Sequence, residues 1–282
     1  MALSTFIAIG IFVLGVYYMI KYFHKFDSFL GKVGENLKSD VFSLMTSNKK
    51  FLEEEAVEKK ELGLIADEEN EIGKEFVKGL QAYGLAQKLI VKLSEQGGSR
   101  QEYLNFYNYL KWNLGEGEKI KKYVRDQLEK LGKGKSALEG QLKVLKNMLV
   151  VVENTLNKER SAERKASLEK IKEKINQLIK ITENLYALSE DVESMLRELA
   201  NRSQHVDLFF QKLIKMFKNG ITKESLIKMK EVHTSVGKEL VGMYQLEEKI
   251  REHTEQMAKY LAFGDALAKQ LEAEEASVMA AA

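Results

Sequence analysis

Large apolar residues recur at alternating spacings of three and four, most regularly between residues 168 and 217. Three small polar residues interrupt the set, which reads Leu168, Ile171, Ile175, Leu178, Thr182, Leu185, Ser189, Val192, Leu196, Leu199, Ser203, Val206, Phe210, Leu213 and Phe217. At 3.6 residues per turn, this spacing places every side chain on one stripe of an α-helix. A helix of about 50 residues is ~75 Å long, so the stripe predicts an elongated helical protein.

Shorter runs with the same spacing lie on both sides of that helix. They occur at residues 65–93, 103–131, 138–156 and 229–271. Stripes of this kind bury themselves against stripes on neighbouring helices. The pattern therefore predicts an all-α protein built as an antiparallel coiled-coil or spectrin-like bundle.

Glycines and polar clusters between the runs predict the turns. Ser99 with Glu102, and Ser136 with Glu139, each match the capping box that starts a helix. The predicted turns lie near residues 97–99, 132–136, 157–163 and 219–222. At 157–163 a continuous, locally unwound helix is the alternative. Cut at these turns, the helices would have roughly 47, 32, 22, 55 and 50 residues. The longer ones would then extend past the shorter ones or pair with another chain.

The first segment is apolar all round. No charged side chain precedes Lys21, and 19 residues at ~1.5 Å each span a ~30 Å hydrocarbon layer. Its bulky end offers no small-residue cleavage site, which favours a retained anchor over a signal peptide. A buried core helix is the other alternative. We predict a transmembrane helix at residues 1–24, anchored by Phe6, Ile7, Ile9, Ile11, Phe12, Val13, Leu14, Tyr17 and Tyr18.

Lysines flank this segment on one side. Lys21, Lys25, Lys32 and Lys38 follow it, so the positive-inside rule predicts a single-pass protein of the cell membrane whose body is cytoplasmic. Residues 25–48 would form a juxtamembrane amphipathic stalk that ends in a turn at residues 46–48. Residues 49–282 would form the bundle of long helices.

Composition narrows the range of functions. The chain has neither proline nor cysteine, and its 44 basic residues nearly balance its 42 acidic ones. Proline-free sequence suits long helices, and a cysteine-free chain has no disulfide and no thiol nucleophile. Acidic residues concentrate at 53–75 and basic ones at 119–135 and 212–230. We expect these faces to be solvated and to pair across the bundle, with contact to anionic lipid as the alternative for the basic ones.

Candidate chemistry is sparse. Gly134, Lys135 and Ser136 resemble the end of a phosphate-binding loop, but Glu129 stands where that loop needs its first glycine. No histidine stands three residues after an acid, so the pairing used by di-iron bundles is missing. The sequence predicts no catalytic residue, no metal, no cofactor and no enzymatic activity.

These observations favour a membrane-anchored helical scaffold that oligomerises or recruits a protein partner at the cytoplasmic membrane face. A signal-transmitting helical module and a membrane-remodelling or pore-forming helical protein are the alternatives. The bilayer is an expected partner, whereas nucleic acid and small-molecule substrates are not. The predicted interaction seam consists of Leu185, Val192, Leu196, Leu199, Phe210, Leu240, Met243 and Ile250.

Overall fold

A computed structural model describes residues 35–280 except Gly115. It contains five helices: α1 (Glu35–Gln96), α2 (Arg100–Asn113), α3 (Glu116–Lys158), α4 (Ala162–Lys218) and α5 (Lys223–Ala280). No strand occurs in the described part, which confirms the all-α prediction. The predicted transmembrane helix, with all nine of its anchor residues, lies outside the described residues. Among the five helices described, none is both long and apolar enough to cross a bilayer.

The helices form four arms of nearly equal length. Three arms are single helices of 62, 57 and 58 residues, namely α1, α4 and α5. The fourth arm is α2 followed by α3, with 14 and 43 residues. The long helices contact one another in the cyclic order α1, α3, α4, α5 and back to α1. At 1.5 Å per residue, α4 is about 86 Å long.

Contacts between neighbouring arms run in opposite directions along the two sequences. Leu62 of α1 lies against Gly134 of α3, and Glu54 lies against Gly140. Because the second number rises as the first falls, α1 and α3 are antiparallel. The other neighbours follow the same rule. The contacts are Tyr83–Gly237 and Gly73–Glu247 between α1 and α5, Lys135–Glu193 and Lys146–Glu183 between α3 and α4, and Arg202–Glu239 and Lys174–Glu274 between α4 and α5. We call the end with the turns at 97–99 and 219–222 the distal end, and the opposite end the proximal end.

The stripe at residues 168–217 lies in the core. Fourteen of its fifteen members are buried, and the remaining one, Phe217, is half-buried. The Thr182 and Ser189 hydroxyls donate to the carbonyls of Leu178 and Leu185 over 2.8 Å, which satisfies them within the helix. Ser203 instead donates to the carbonyl of Gly117 on α3, over 3.3 Å.

Three of the predicted turns coincide with helix ends. The Ser99 capping box is present, since the Glu102 amide donates to the Ser99 hydroxyl and the Ser99 amide to the Glu102 carboxylate. Ser161 caps α4 through the amide of Arg164. At the last turn Gly220 has a φ of +113°, a conformation that side chains with a Cβ rarely adopt.

The predicted turn at residues 132–136 is wrong. α3 runs through it without a break, and Gly134 is buried at a stripe position. A Cβ on Gly134 would lie 2.6 Å from Leu62 Cδ2, so this glycine makes room for a neighbouring side chain and not for a turn. The arm is instead divided between Asn113, where α2 ends, and Glu116, where α3 begins. The helices are unequal in length, but the two shorter ones follow each other in one arm, so the expected extension of long helices past short ones is wrong. α1 likewise continues through residues 46–48.

The two glycines of this segment should respond oppositely to alanine. Gly132→Ala should raise the free energy of unfolding by up to about 1 kcal/mol, because Gly132 is exposed and alanine is the better helix former. Gly134→Ala should lower it by about 1–3 kcal/mol, because its methyl group displaces Leu62. Urea unfolding followed by circular dichroism measures both. Destabilisation by Gly132→Ala would show that the segment is a turn after all.

Candidate functional site

The predicted interaction seam is occupied within the chain. Seven of its residues are at most 2% exposed and Leu240 is half-buried, the full set being Leu185, Val192, Leu196, Leu199, Phe210, Leu240, Met243 and Ile250. They pack against the other arms of the same bundle. These residues are therefore not free to form an interface with a second chain in this structure.

A polar and aromatic cluster interrupts the core near the distal end. Its centre is His233 of α5, which is fully buried. The Tyr83 ring stacks on the imidazole at 4.7 Å between centroids, while Phe106 and Tyr109 meet it edge-on at 5.8 and 5.6 Å. Residues from α1, α2 and α5 thus meet at one level. The cluster joins the short helix α2 to the rest of the bundle.

Hydrogen bonds define which nitrogen of the His233 imidazole carries the proton. Its Nδ1 lies 2.5 Å from Gln87 Oε1, which can only accept, so Nδ1 carries the proton. Nε2 then accepts from the Tyr109 hydroxyl over 3.2 Å. Gln87 Nε2 donates to Thr234 Oγ1 over 3.4 Å. Both ring nitrogens of the neutral imidazole are therefore satisfied.

Burial shifts the ionisation of the cluster. Desolvation lowers the pKa of His233 from 6.5 to about 4, and it raises the pKa values of Tyr109 and Tyr83 above their ordinary value. All three groups are therefore neutral at pH 7. The imidazole itself is fully buried, and its two hydrogen bonds join α5 to α1 and to α2. In the part of the chain that the structure covers, no three histidine or acidic side chains come together as a metal site.

A buried ion pair lies beside the break between α2 and α3. Asp207 of α4 is buried, and its Oδ2 accepts from Lys121 Nζ over 3.1 Å. A Cβ on Gly117 would lie 2.0 Å from Asp207 Oδ1. The carboxylate therefore lies against the first turn of α3, where the helix dipole favours negative charge. Within the described residues its Oδ1 has no hydrogen-bond partner.

A small cavity near the proximal end is lined by Gln141, Leu178, Thr182 and Tyr260, among others. Its volume is about 20 Å³, which is enough for one water molecule. The buried Gln141 Nε2 has no hydrogen-bond partner within the described residues. A water there would satisfy it, and the cavity is too small for an organic ligand.

The basic stretches differ in their ion pairs. In residues 119–135, Lys121 pairs with Asp207, Lys135 with Glu193 and Lys133 with Glu129. These partners lie on α4 and on α3 itself. The acidic stretch of α1 contributes as well, since the hydrogen bond to Glu129 and, after it, the charge of Glu61 raise the pKa of Lys133. The lysines of α4 at the distal end behave differently: within residues 35–280 the structure gives no ion pair to Lys212, Lys215 or Lys218.

The outer faces of α2 and the distal end of α4 carry exposed apolar side chains. Leu104, Trp112 and Leu208 are 47%, 56% and 53% exposed. Exposed cations accompany them, namely Arg100, Lys111, Lys212, Lys215 and Lys218. We call these eight residues the distal surface. It is the candidate functional site.

Sequence reasoning missed the distal surface, although its signal was present. Leu104 and Trp112 fall between the stripe positions of α2, and Leu208 falls between Val206 and Phe210 of the α4 stripe. A large apolar residue off the stripe points away from the core. What the sequence did not show was the end of α2 at Asn113, which leaves α2 beside the distal end of α4 as a separate helix.

Comparison of the chain with protein-family models, with curated proteins and with solved structures finds no match.

Proposed function

We propose that the chain is a membrane-anchored helical scaffold. The observation that carries this proposal is the equal length of the four arms. Together they make a rod about 86 Å long, with the start of α1 at its proximal end. The apolar segment at residues 2–20 precedes that start and would hold the proximal end at a bilayer. The body then extends from the membrane as a spacer of defined length.

The packing of the rod supports a scaffold role. Its core is continuous from Phe51 to Leu271, and the interlocked stripes lie within one chain. Such a bundle needs no second chain to complete its core. Self-association or recruitment of a protein partner would therefore use the outer faces of the arms, with the stripes supplying rigidity.

Membrane extraction tests the anchor. Full-length chain should stay with membranes in sodium carbonate and in high salt, because a charge-free span is held by burial of apolar surface. Deleting residues 1–24 should release a folded bundle, since the core begins at Phe51. Release of the intact chain by salt would refute the anchor.

Light scattering on the released bundle tests the scaffold's assembly. A mass that rises with concentration would support self-association. A monomeric mass over a tenfold concentration range would leave recruitment of a different protein as the scaffold's role. Small-angle scattering should give a longest dimension near 90 Å, as expected from the helix lengths, and a compact profile would refute the rod.

A further inference from the structure

The apolar members of the distal surface lie on two neighbouring arms at matching levels. Tyr107 stacks on Phe217 at 4.9 Å and Tyr109 meets Phe210 at 5.9 Å, which fixes the antiparallel register of α2 and α4. Continuing that register places Trp112 level with Leu208. The two helices therefore present large apolar side chains together.

The groove between these helices is closed. The stacked rings of Tyr107 and Phe217 occupy it, and both are half-buried. Leu104, Trp112 and Leu208 thus project from the outer sides of the helices. A partner helix needs an open groove in which to lie, whereas a flat surface can reach the outer sides of two adjacent helices at once.

The charge of this region is predominantly positive. Residues 100–113 and 208–218 contain five basic side chains and a single acidic one, Glu102. The hydrogen bond from Lys92 of α1 is the main cause that lowers the pKa of Glu102 to about 2, so this carboxylate is ionised at neutral pH. It forms its ion pair with Lys92 and not with any of the five cations. Exposed cations surround the apolar side chains on both helices.

We propose that the distal surface binds an anionic lipid bilayer. Leu104, Trp112 and Leu208 would enter the interface between headgroups and acyl chains, where tryptophan is favoured. Lys111, Lys212, Lys215, Lys218 and Arg100 would lie at the headgroup phosphates and carboxylates. The binding does not depend on the proposed anchor, because it uses only residues of the folded bundle.

The single tryptophan of the chain makes this contact measurable. Full-length protein, reconstituted in phosphatidylcholine nanodiscs, is titrated with vesicles of phosphatidylcholine alone or with 30% phosphatidylserine. The Trp112 emission should shift to shorter wavelength with the anionic vesicles and not with the neutral ones. Because exposed charges are screened by salt, 0.5 M NaCl should weaken the binding. Failure of the chain to enter nanodiscs would refute the anchor. The chain would then be titrated directly with the vesicles, so that the anchor and the lipid-binding surface are tested separately.

Charge reversal supplies the matched comparison. Lys212→Glu with Lys215→Glu should weaken binding at least 25-fold, at roughly fivefold for each lysine lost. Lys165→Glu with Lys170→Glu makes the same net change on exposed positions of α4 near the proximal end and should leave binding nearly unchanged. Leu104→Ser with Leu208→Ser should reduce the emission shift, whereas Leu85→Ser with Val241→Ser, exposed on other arms, should not.

Three results would overturn the proposal. One is an unchanged Trp112 emission with anionic vesicles. Another is an equal loss of binding in both charge-reversal variants, which would show that net charge acts without a defined surface. The third is a Trp112 shift produced by single-stranded DNA or an acidic peptide but not by vesicles, which would assign the surface to a polyanion other than lipid.

Discussion

Leu196→Asp should abolish the cooperative fold of the bundle. Leu196 lies in α4, is fully buried, and belongs to the stripe that meets both neighbouring arms. The substitution removes an apolar side chain from the core and puts an ionised carboxylate in its place. No basic side chain belongs to the stripe at residues 168–217, so nothing there would pair with the new charge.

The expected loss comes from two contributions. Truncation of a buried leucine alone typically costs 2–5 kcal/mol, through lost burial and the cavity left behind. Burial of an unpaired carboxylate adds several kcal/mol, or it forces the carboxyl to take up a proton. Since a whole domain is stable by only about 5–15 kcal/mol, the sum is comparable to the entire stability. Thermal unfolding followed by circular dichroism should show a broad, early transition or none.

Leu208→Asp is the matched control. It makes the same chemical change on the same helix, twelve residues further on, at a side chain that is 53% exposed. Surface substitutions of this kind usually change stability by less than about 0.5 kcal/mol. Equal destabilisation by the two variants would mean that the 168–217 stripe does not form the core.

The stripe is also the feature that sequence predicts best. Burial of Val192, Leu196 and Leu199 follows from their spacing alone, because spacings of three and four place side chains on the same face of a regular helix. The cap at Ser99 is predictable for the same local reason, whereas Ser136 and Glu139, which have the same spacing, lie inside α3 and start no helix. Ser99 and Glu102 are three residues apart, and their hydrogen bonds need no other part of the chain.

The turn predicted at residues 132–136 was wrong because the role of a glycine depends on distant residues. Gly134 stands opposite Leu62, and Gly117 stands opposite Asp207. In both places the missing Cβ makes room for a side chain from another helix, which no local pattern reveals. The division between α2 and α3 was missed for a related reason. Asp207, which lies against the first turn of α3, comes 90 residues after Gly117.

The candidate site, too, has features that local sequence predicts and features that depend on distant residues. Each exposed apolar residue of the distal surface is recognisable as lying off its stripe. Their arrangement on neighbouring helices is not, because Trp112 and Leu208 lie at the same level only through the register set by Tyr109 and Phe210. His233 falls within the run at residues 229–271, but its partners Gln87 and Tyr109 belong to two other helices.

Acid should destabilise the bundle through His233. Its pKa is about 4 in the folded protein against 6.5 ordinarily, so the unfolded chain binds more protons between those values. The free energy of unfolding should therefore be constant above pH 6.5 and fall as the pH drops towards 4. The difference between the two pKa values corresponds to about 3 kcal/mol. Tyr83 and Tyr109, which face the imidazole, stay neutral throughout this range.

Substitution isolates this contribution from the other titrating groups. Glu247 has a raised pKa because of burial, so its effect on stability has the opposite sign, and it is common to wild type and variants. His233→Gln and His233→Phe should each lower stability at pH 7, since they disturb the bonds to Gln87 and Tyr109. Both should also lose the additional fall in stability between pH 6.5 and 4.

The measurement is urea unfolding at intervals across that pH range. His205→Gln removes an exposed imidazole from α4 and should keep the wild-type dependence on pH. If His233→Gln and His205→Gln gave the same pH profile as wild type, the His233 imidazole would not be the group that stays neutral in the core. A profile that flattens in the His233 variants alone would assign the acid sensitivity of the bundle to this one side chain.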